Sequence, residues 1–135
     1  MTRVSLTIRE TRPGDAETAA EWSRRHGRTL WTAALPPLGC VCEDAEGPCG
    51  MAWVYCACNI GVAFVEHLVM RPGLSLRQSR ETGLALMEGL GAAVRGLDYR
   101  VLVAYALPAC ARFLRSAGWE ETDERLKVSM VKALT

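Results

Sequence analysis

A chain of 135 residues is long enough for one domain with a core and too short for two ordinary ones, so a single domain over residues 1–135 is expected. Half of it is hydrophobic and 23% is charged, which excludes a disordered chain. Sixteen basic against fifteen acidic side chains leave a formal charge of +1, so no global field draws it to nucleic acid or to an anionic membrane.

Val4, Leu6 and Ile8 alternate with Ser5, Thr7 and Arg9, the pattern of a half-buried strand, which stops at Arg12-Pro13-Gly14. The same start lacks the apolar core of a signal peptide, and a cytoplasmic compartment with reduced thiols is expected. Asp15 reads as the N-cap of a helix running to about His26 and ended by Gly27. Arg28 to Ala34 gives a second helical piece, closed by Leu35-Pro36-Pro37 because the residue before proline avoids helix geometry. Cys40 to Glu43 and Pro48 to Cys58 read as antiparallel strands joined by Asp44-Ala45-Glu46-Gly47, and Val62 to Met70 as a third strand. Leu86, Leu90, Ala93 and Val94 place a helix over Gly83 to Arg95, which Gly89 and Gly91 each weaken by about 1 kcal/mol. A strand over Arg100 to Tyr105, a helix over Pro108 to Ala117 stopped by Gly118, and a last hairpin over Trp119 to Asp123 and Leu126 to Lys132 complete the order βααβββαβαββ. The helical crossover makes the Val62 and Arg100 strands parallel. The uncharged stretch from Val101 to Ala111 contains Pro108 and is far short of the roughly 18 residues of a membrane helix, so no membrane partner is expected.

Arg80-Glu81-Thr82-Gly83-Leu84-Ala85 follows a strand and is read as opening the crossover helix. Unpaired N–H groups and the helix dipole at such a start suit a pyrophosphate, and glycine at 83 admits a close approach. The pattern R-x-x-G-x-A is short, and an ordinary helix start is the plain alternative.

At these residues the chain resembles the GNAT superfamily of acyl-CoA N-acyltransferases, whose signature is Q/R-x-x-G-x-G/A between the fourth strand and third helix. Ile8-Arg9 with Pro13 and Asp15, Gly47-Pro48-Cys49-Gly50, Met70-Arg71-Pro72 and Ala117-Gly118-Trp119-Glu120 resemble other family segments, so the resemblance runs over nearly the whole chain. It implies an α/β fold: a mixed, mostly antiparallel sheet with a central parallel strand pair flanked by helices. It also implies acetyl-CoA as cosubstrate, with Leu68, Val69 and Met70 along its pantetheine arm, Arg80, Glu81, Thr82, Gly83, Leu84 and Ala85 at its phosphates, and no metal. The reaction implied is direct attack by a primary amine, carried on a small molecule or a peptide, with backbone N–H groups near Val69 and Met70 stabilising the oxyanion. A homodimer is an open expectation.

An attacking amine must lose a proton, and Glu66 is the candidate base, with Phe64 and Leu68 on its face by alternation and an apolar setting that would raise its pKa. His67, on the other face, is the second candidate, and a surface carboxylate is the alternative for Glu66. The chain departs from the family at the helix tyrosine that serves as acid, where Leu114 stands, and at the helix-start asparagine, near Leu107; Tyr105 and Cys110 are the nearby substitutes. These departures favour, as a rival function, a non-catalytic acyl-CoA-binding module. A third function, a zinc-bearing interaction protein, follows if antiparallel pairing brings Cys40-x-Cys42 and Cys56-x-Cys58 together; buried apolar cysteines are the plainer reading. Arg24, Arg25, His26 and Arg28 form a basic cluster read as a solvated helix end.

Overall fold

The computed structural model describes residues 5–57, 61–106 and 108–121, which fall into two units, Met1–Tyr105 and Ala106–Thr135. The first contains β1 (Thr7–Glu10), α1 (Asp15–Arg25), a 3-10 turn (Thr32–Ala34), β2 (Leu38–Asp44), β3 (Gly47–Cys56), β4 (Val62–Met70), α2 (Leu76–Arg95) and β5 (Val101–Val103). The second contains α3 (Pro108–Ser116), followed by Gly118 at φ 93°. The five strands lie in the order β1-β2-β3-β4-β5, antiparallel except for the parallel pair β4 and β5. Val4, Cys58, Leu107 and the second strand of the expected last hairpin lie outside the described residues, and Trp119–Glu121 form no strand.

Residues opposite one another on paired strands share a face. Val41, Met51, Trp53 and Val69 therefore face one way, and Ala19 and Trp22 of α1 pack on them, with Leu30 and Leu35 at the margin. The other face carries Ile8, Cys40, Cys42, Gly50 and Ala52, and α2 lies across it through Thr82, Leu86 and Gly89. Helices thus cover both faces of a mixed sheet, as expected.

Several boundaries differ. Gly14, at φ 97°, precedes the first helix, and Asp15 is its first residue, not its cap. Its carboxylate instead accepts the Arg12 N–H at 2.5 Å and two bonds from the Arg9 guanidinium, at 2.9 and 3.1 Å, tying β1 to α1. Only Thr32–Ala34 of the second helical piece turns helically. The largest correction is α2, which begins at Leu76, not Gly83: Ser75 accepts the Gln78 N–H with its hydroxyl while the Gln78 side chain accepts the Ser75 N–H, a capping box that fixes the start seven residues earlier.

The strand register also separates the cysteine pairs. Cys40 lies opposite Ala52 and Cys42 opposite Gly50, which leaves Cys56 four residues, roughly 13 Å, along β3 from the partner of Cys40. This register runs against the alternative in which the two pairs meet, and among the described residues no group of three His, Cys, Asp or Glu is placed to hold a metal. Cys42 meets Cys49 instead, whose thiol donates to the Cys42 carbonyl at 3.4 Å. Burial, and then the neighbouring Cys49, push the Cys42 thiol up to about 12. Among the described residues no helix is long and apolar enough to cross a membrane.

The two mid-helix glycines of α2 differ in kind. A Cβ on Gly89 would stand 2.7 Å from Ile8 Cγ2, so this glycine lets the helix approach β1, whereas a Cβ on Gly91 would meet nothing within 4 Å. Gly91→Ala is expected to raise stability by about 0.5–1 kcal/mol through helix propensity, and Gly89→Ala to lower it by about 1–3 kcal/mol through overpacking. Urea denaturation of both variants measures the contrast.

Candidate active site

β4 and β5 pair only at Val62–Val101, Ala63–Leu102 and Phe64–Val103. Beyond Phe64 the β5 side of β4 is, among the described residues, without a paired strand through Met70, an open edge inside the first unit. β4 also changes its twist there. Trp53 lies opposite Glu66 and Met51 opposite Val69, so three steps on β4 match two on β3. The extra residue is a bulge at His67, whose φ of 56° lies in the left-handed region, sparsely used by non-glycine residues. Glu66 keeps the face of Trp53, with Phe64 beside it, but the bulge breaks the alternation: Val69, not Leu68, takes the next place on that face.

The direction of the Met70 peptide groups follows from one bond. Arg71 N–H donates to the Cys49 carbonyl at 2.9 Å, which makes Gly50–Met70 a pair whose own backbone groups do not bond each other. The N–H and C=O of Met70 therefore point away from β3, toward the open edge. Against this edge lies a cavity of about 320 Å³, walled by Leu68, Val69 and Met70, by Ser23, His26 and Arg28 from the end of α1, and by Ser79 from the first turn of α2. Ser23 is only 5% exposed, yet its hydroxyl has no hydrogen-bond partner among the described residues.

The end of β4 is braced. Arg71 bonds Asp44 through both guanidinium nitrogens, at 3.1 and 2.7 Å, and the Pro48 carbonyl at 3.1 Å, locking the turn after β4 to the β2–β3 hairpin. This hydrogen bonding holds the Asp44 carboxyl below its usual range.

The predicted phosphate residues stand elsewhere than expected. With α2 starting at Leu76, Arg80 to Ala85 occupy its second and third turns, where each backbone N–H bonds the carbonyl four residues back and none is left for a ligand. Thr82 and Gly83 are buried on the sheet, Thr82 so close that a Cβ on Gly50 would be 2.5 Å from its methyl group. The exposed Arg80 side chain is the most accessible part of the motif, and the first-turn N–H groups of Leu76 and Arg77 have no partner among the described residues.

Of the other candidates, Glu66 is half-buried and His67 exposed, both at the bulge, while Tyr105 follows β5 and is 76% exposed. Within the second unit Leu114 is buried and Cys110 half-buried on α3. Ser23 is the residue that sequence reasoning missed, and His26 stands there only within the basic cluster read as a solvated helix end. The basic cluster pointed to the right helix end, but the bend at Gly27, φ 76°, which turns Arg28 to the cavity, has no unambiguous sequence signature.

No protein-family model matches the chain, and no curated protein matches it in sequence. Solved structures match its fold. Glucosamine-6-phosphate N-acetyltransferase from Arabidopsis thaliana is similar over 97% of this chain and 99% of its own, at 12% identity and a TM-score of 0.65. A GNAT-family acetyltransferase from Streptococcus pneumoniae is similar over 96% and 98%, at 17% identity and a TM-score of 0.68. N-acetylglutamate synthase from Neisseria gonorrhoeae, in complex with coenzyme A and N-acetyl-glutamate, is similar over 85% of this chain and 28% of its own, at 15% identity and a TM-score of 0.63. The chain has the fold of the GNAT N-acetyltransferases.

The Arg71–Asp44 brace sets an acid limit. A carboxyl with a depressed folded pKa adds stability that is present above its unfolded value, near 4, and is lost as pH falls through the folded one. Asp44→Asn is expected to cost about 1 kcal/mol at pH 7, the scale of a charge-assisted bond partly open to solvent, and to flatten the loss of stability below about pH 4. Thermal unfolding of both proteins across that range checks the sign.

Proposed function

We propose that the protein is an N-acetyltransferase that moves an acetyl group from acetyl-CoA to a primary amine by direct attack. The observation that carries this reading is the open edge of β4 beyond Phe64, beside a cavity, on a fold whose solved examples include a complex with coenzyme A. An amide-bearing chain adds to such an edge as a strand would. Leu68, Val69 and Met70 hold the pantetheine arm, and the Met70 N–H, directed at the edge, donates to the thioester oxygen. The phosphates are met by the Arg80 side chain and by the first turn of α2 at Leu76 and Arg77, in place of the backbone of residues 81–85. Acetyl-CoA, when bound, supplies the activated acyl group.

Glu66 is the base in this reading: it stands where the bulge re-aims the strand and takes a proton from the incoming ammonium, so that a neutral amine attacks. Tyr105, at the end of β5, is the candidate acid for the leaving thiolate. The acceptor is a small-molecule or peptide amine; neither nucleic acid nor a membrane takes part, and no metal is used. The whole chain works as one cytoplasmic domain, alone or as a homodimer. A second reading, an acyl-CoA-binding module without turnover, is favoured by Leu114, an apolar residue where the resembling family has its acid.

Acetyl-CoA is expected to raise the melting temperature, since a ligand selective for the folded state adds roughly 2.7 kcal/mol at a hundredfold excess over Kd. The absence of any shift at millimolar acetyl-CoA would sink both readings. On an acceptor found by screening amines for thioester cleavage, Glu66→Gln should lower kcat by about 10² to 10⁴ with acetyl-CoA affinity little changed, and raising the pH should recover part of the loss. Acetyl-CoA binding without cleavage by any amine in a broad panel would favour the module.

A further inference from the structure

The last backbone acceptor on the open edge of β4 is already engaged. His26 Nε2 lies 2.9 Å from the Met70 carbonyl, and since a carbonyl only accepts, the ring donates and its hydrogen is on Nε2. The N–H of that same peptide unit, on Arg71, donates to the Cys49 carbonyl at 2.9 Å. One peptide plane is therefore held from both sides, by β3 and by a side chain 44 residues earlier in the chain. The base of that side chain is itself fixed: the His26 N–H bonds the carbonyl of Trp22, a core residue, at 3.0 Å, and Arg28 N–H bonds the Ser23 carbonyl at 2.8 Å.

We propose that His26 is a positioning residue for the acyl donor. By holding the Met70 carbonyl it fixes the plane and direction of the terminal edge peptide, and it leaves the Met70 N–H as the donor presented to what enters the cavity. Ser23, Arg28 and Ser79 line the cavity with the ring, and the hold on the carbonyl is made by the ring N–H. A neutral amide of similar reach serves equally, and glutamine is the conservative replacement.

This inference rests on the acetyl-CoA reading, and two measurements on the full chain separate the two. Acetyl-CoA affinity is measured by calorimetry, and amide hydrogen exchange at Met70 and Arg71 by NMR, for the parent, His26→Ala and His26→Gln. His26→Ala is expected to weaken acetyl-CoA binding about fivefold, the loss of one ordinary hydrogen bond, and to speed exchange at the two amides, with the melting temperature near the parent's; His26→Gln is expected to restore both. Faster exchange in His26→Ala with unchanged affinity would make the bond merely structural and overturn the proposal. So would tighter binding, which would make His26 a latch competing for the edge, or a failure of glutamine to restore what alanine loses. A parent that binds no acetyl-CoA would instead overturn the acyl-donor reading, and the role of His26 with it.

Discussion

Parallel pairing between β4 and β5 stops after three residues, and the rest of the first unit is arranged around what that leaves exposed. A strand edge with unpaired peptide groups invites association with any extended chain. Here the liability is confined: the edge is short, bulged at His67, and walled by two helix ends. The bulge adds the residue that brings Val69, and not Leu68, onto the face of Glu66, so a side chain before it and peptide groups after it address neighbouring regions of space.

Two guanidinium clusters stiffen the ends of this frame. Arg9 joins β1, the start of α1 and β2 through Asp15 and Glu43, its Nε 3.2 Å from the Glu43 carboxylate. Burial alone would raise the Asp15 pKa; hydrogen bonds from Arg9 and the Arg12 backbone outweigh it and lower it. Arg71 does the corresponding work at the far end of β4. Such partly buried pairs add little net stability, because desolvation offsets attraction, but a bidentate contact fixes direction. Direction is what an edge that must receive a ligand requires.

Much of this was legible in the residues. Val62 to Met70 was bounded correctly because the tight link Asn59-Ile60-Gly61 precedes it and Pro72 closes it, and the crossover rule gave the parallel pairing with β5. The start of α2 was missed although its signature, Ser75 followed by Gln78 three residues later, stands in the sequence. Pattern-matching on Gly83 placed a loop where a capping box had already begun a helix. Thr82 is small for a different reason, the close passage of α2 over Gly50. The bulge had no local signature, since histidine at positive φ is set by tertiary context, and a one-residue slip is enough to invalidate an alternation argument. The contribution of α1 to the cavity was hidden likewise: Ser23 reads as an ordinary helix residue until the chain folds back at Gly27.

Beneath α2 lie Cys40, Cys42 and Cys49, each at most 4% exposed. Burial raises the pKa of both Cys40 and Cys42, so these thiols stay protonated and out of contact with electrophiles while the β2–β3 hairpin is closed. Modification must then wait for a rare excursion in which the hairpin separates from α2. The sulfurs are an internal stopwatch: the pace at which a thiol reagent consumes them reports how often this core breathes, with no label added from outside.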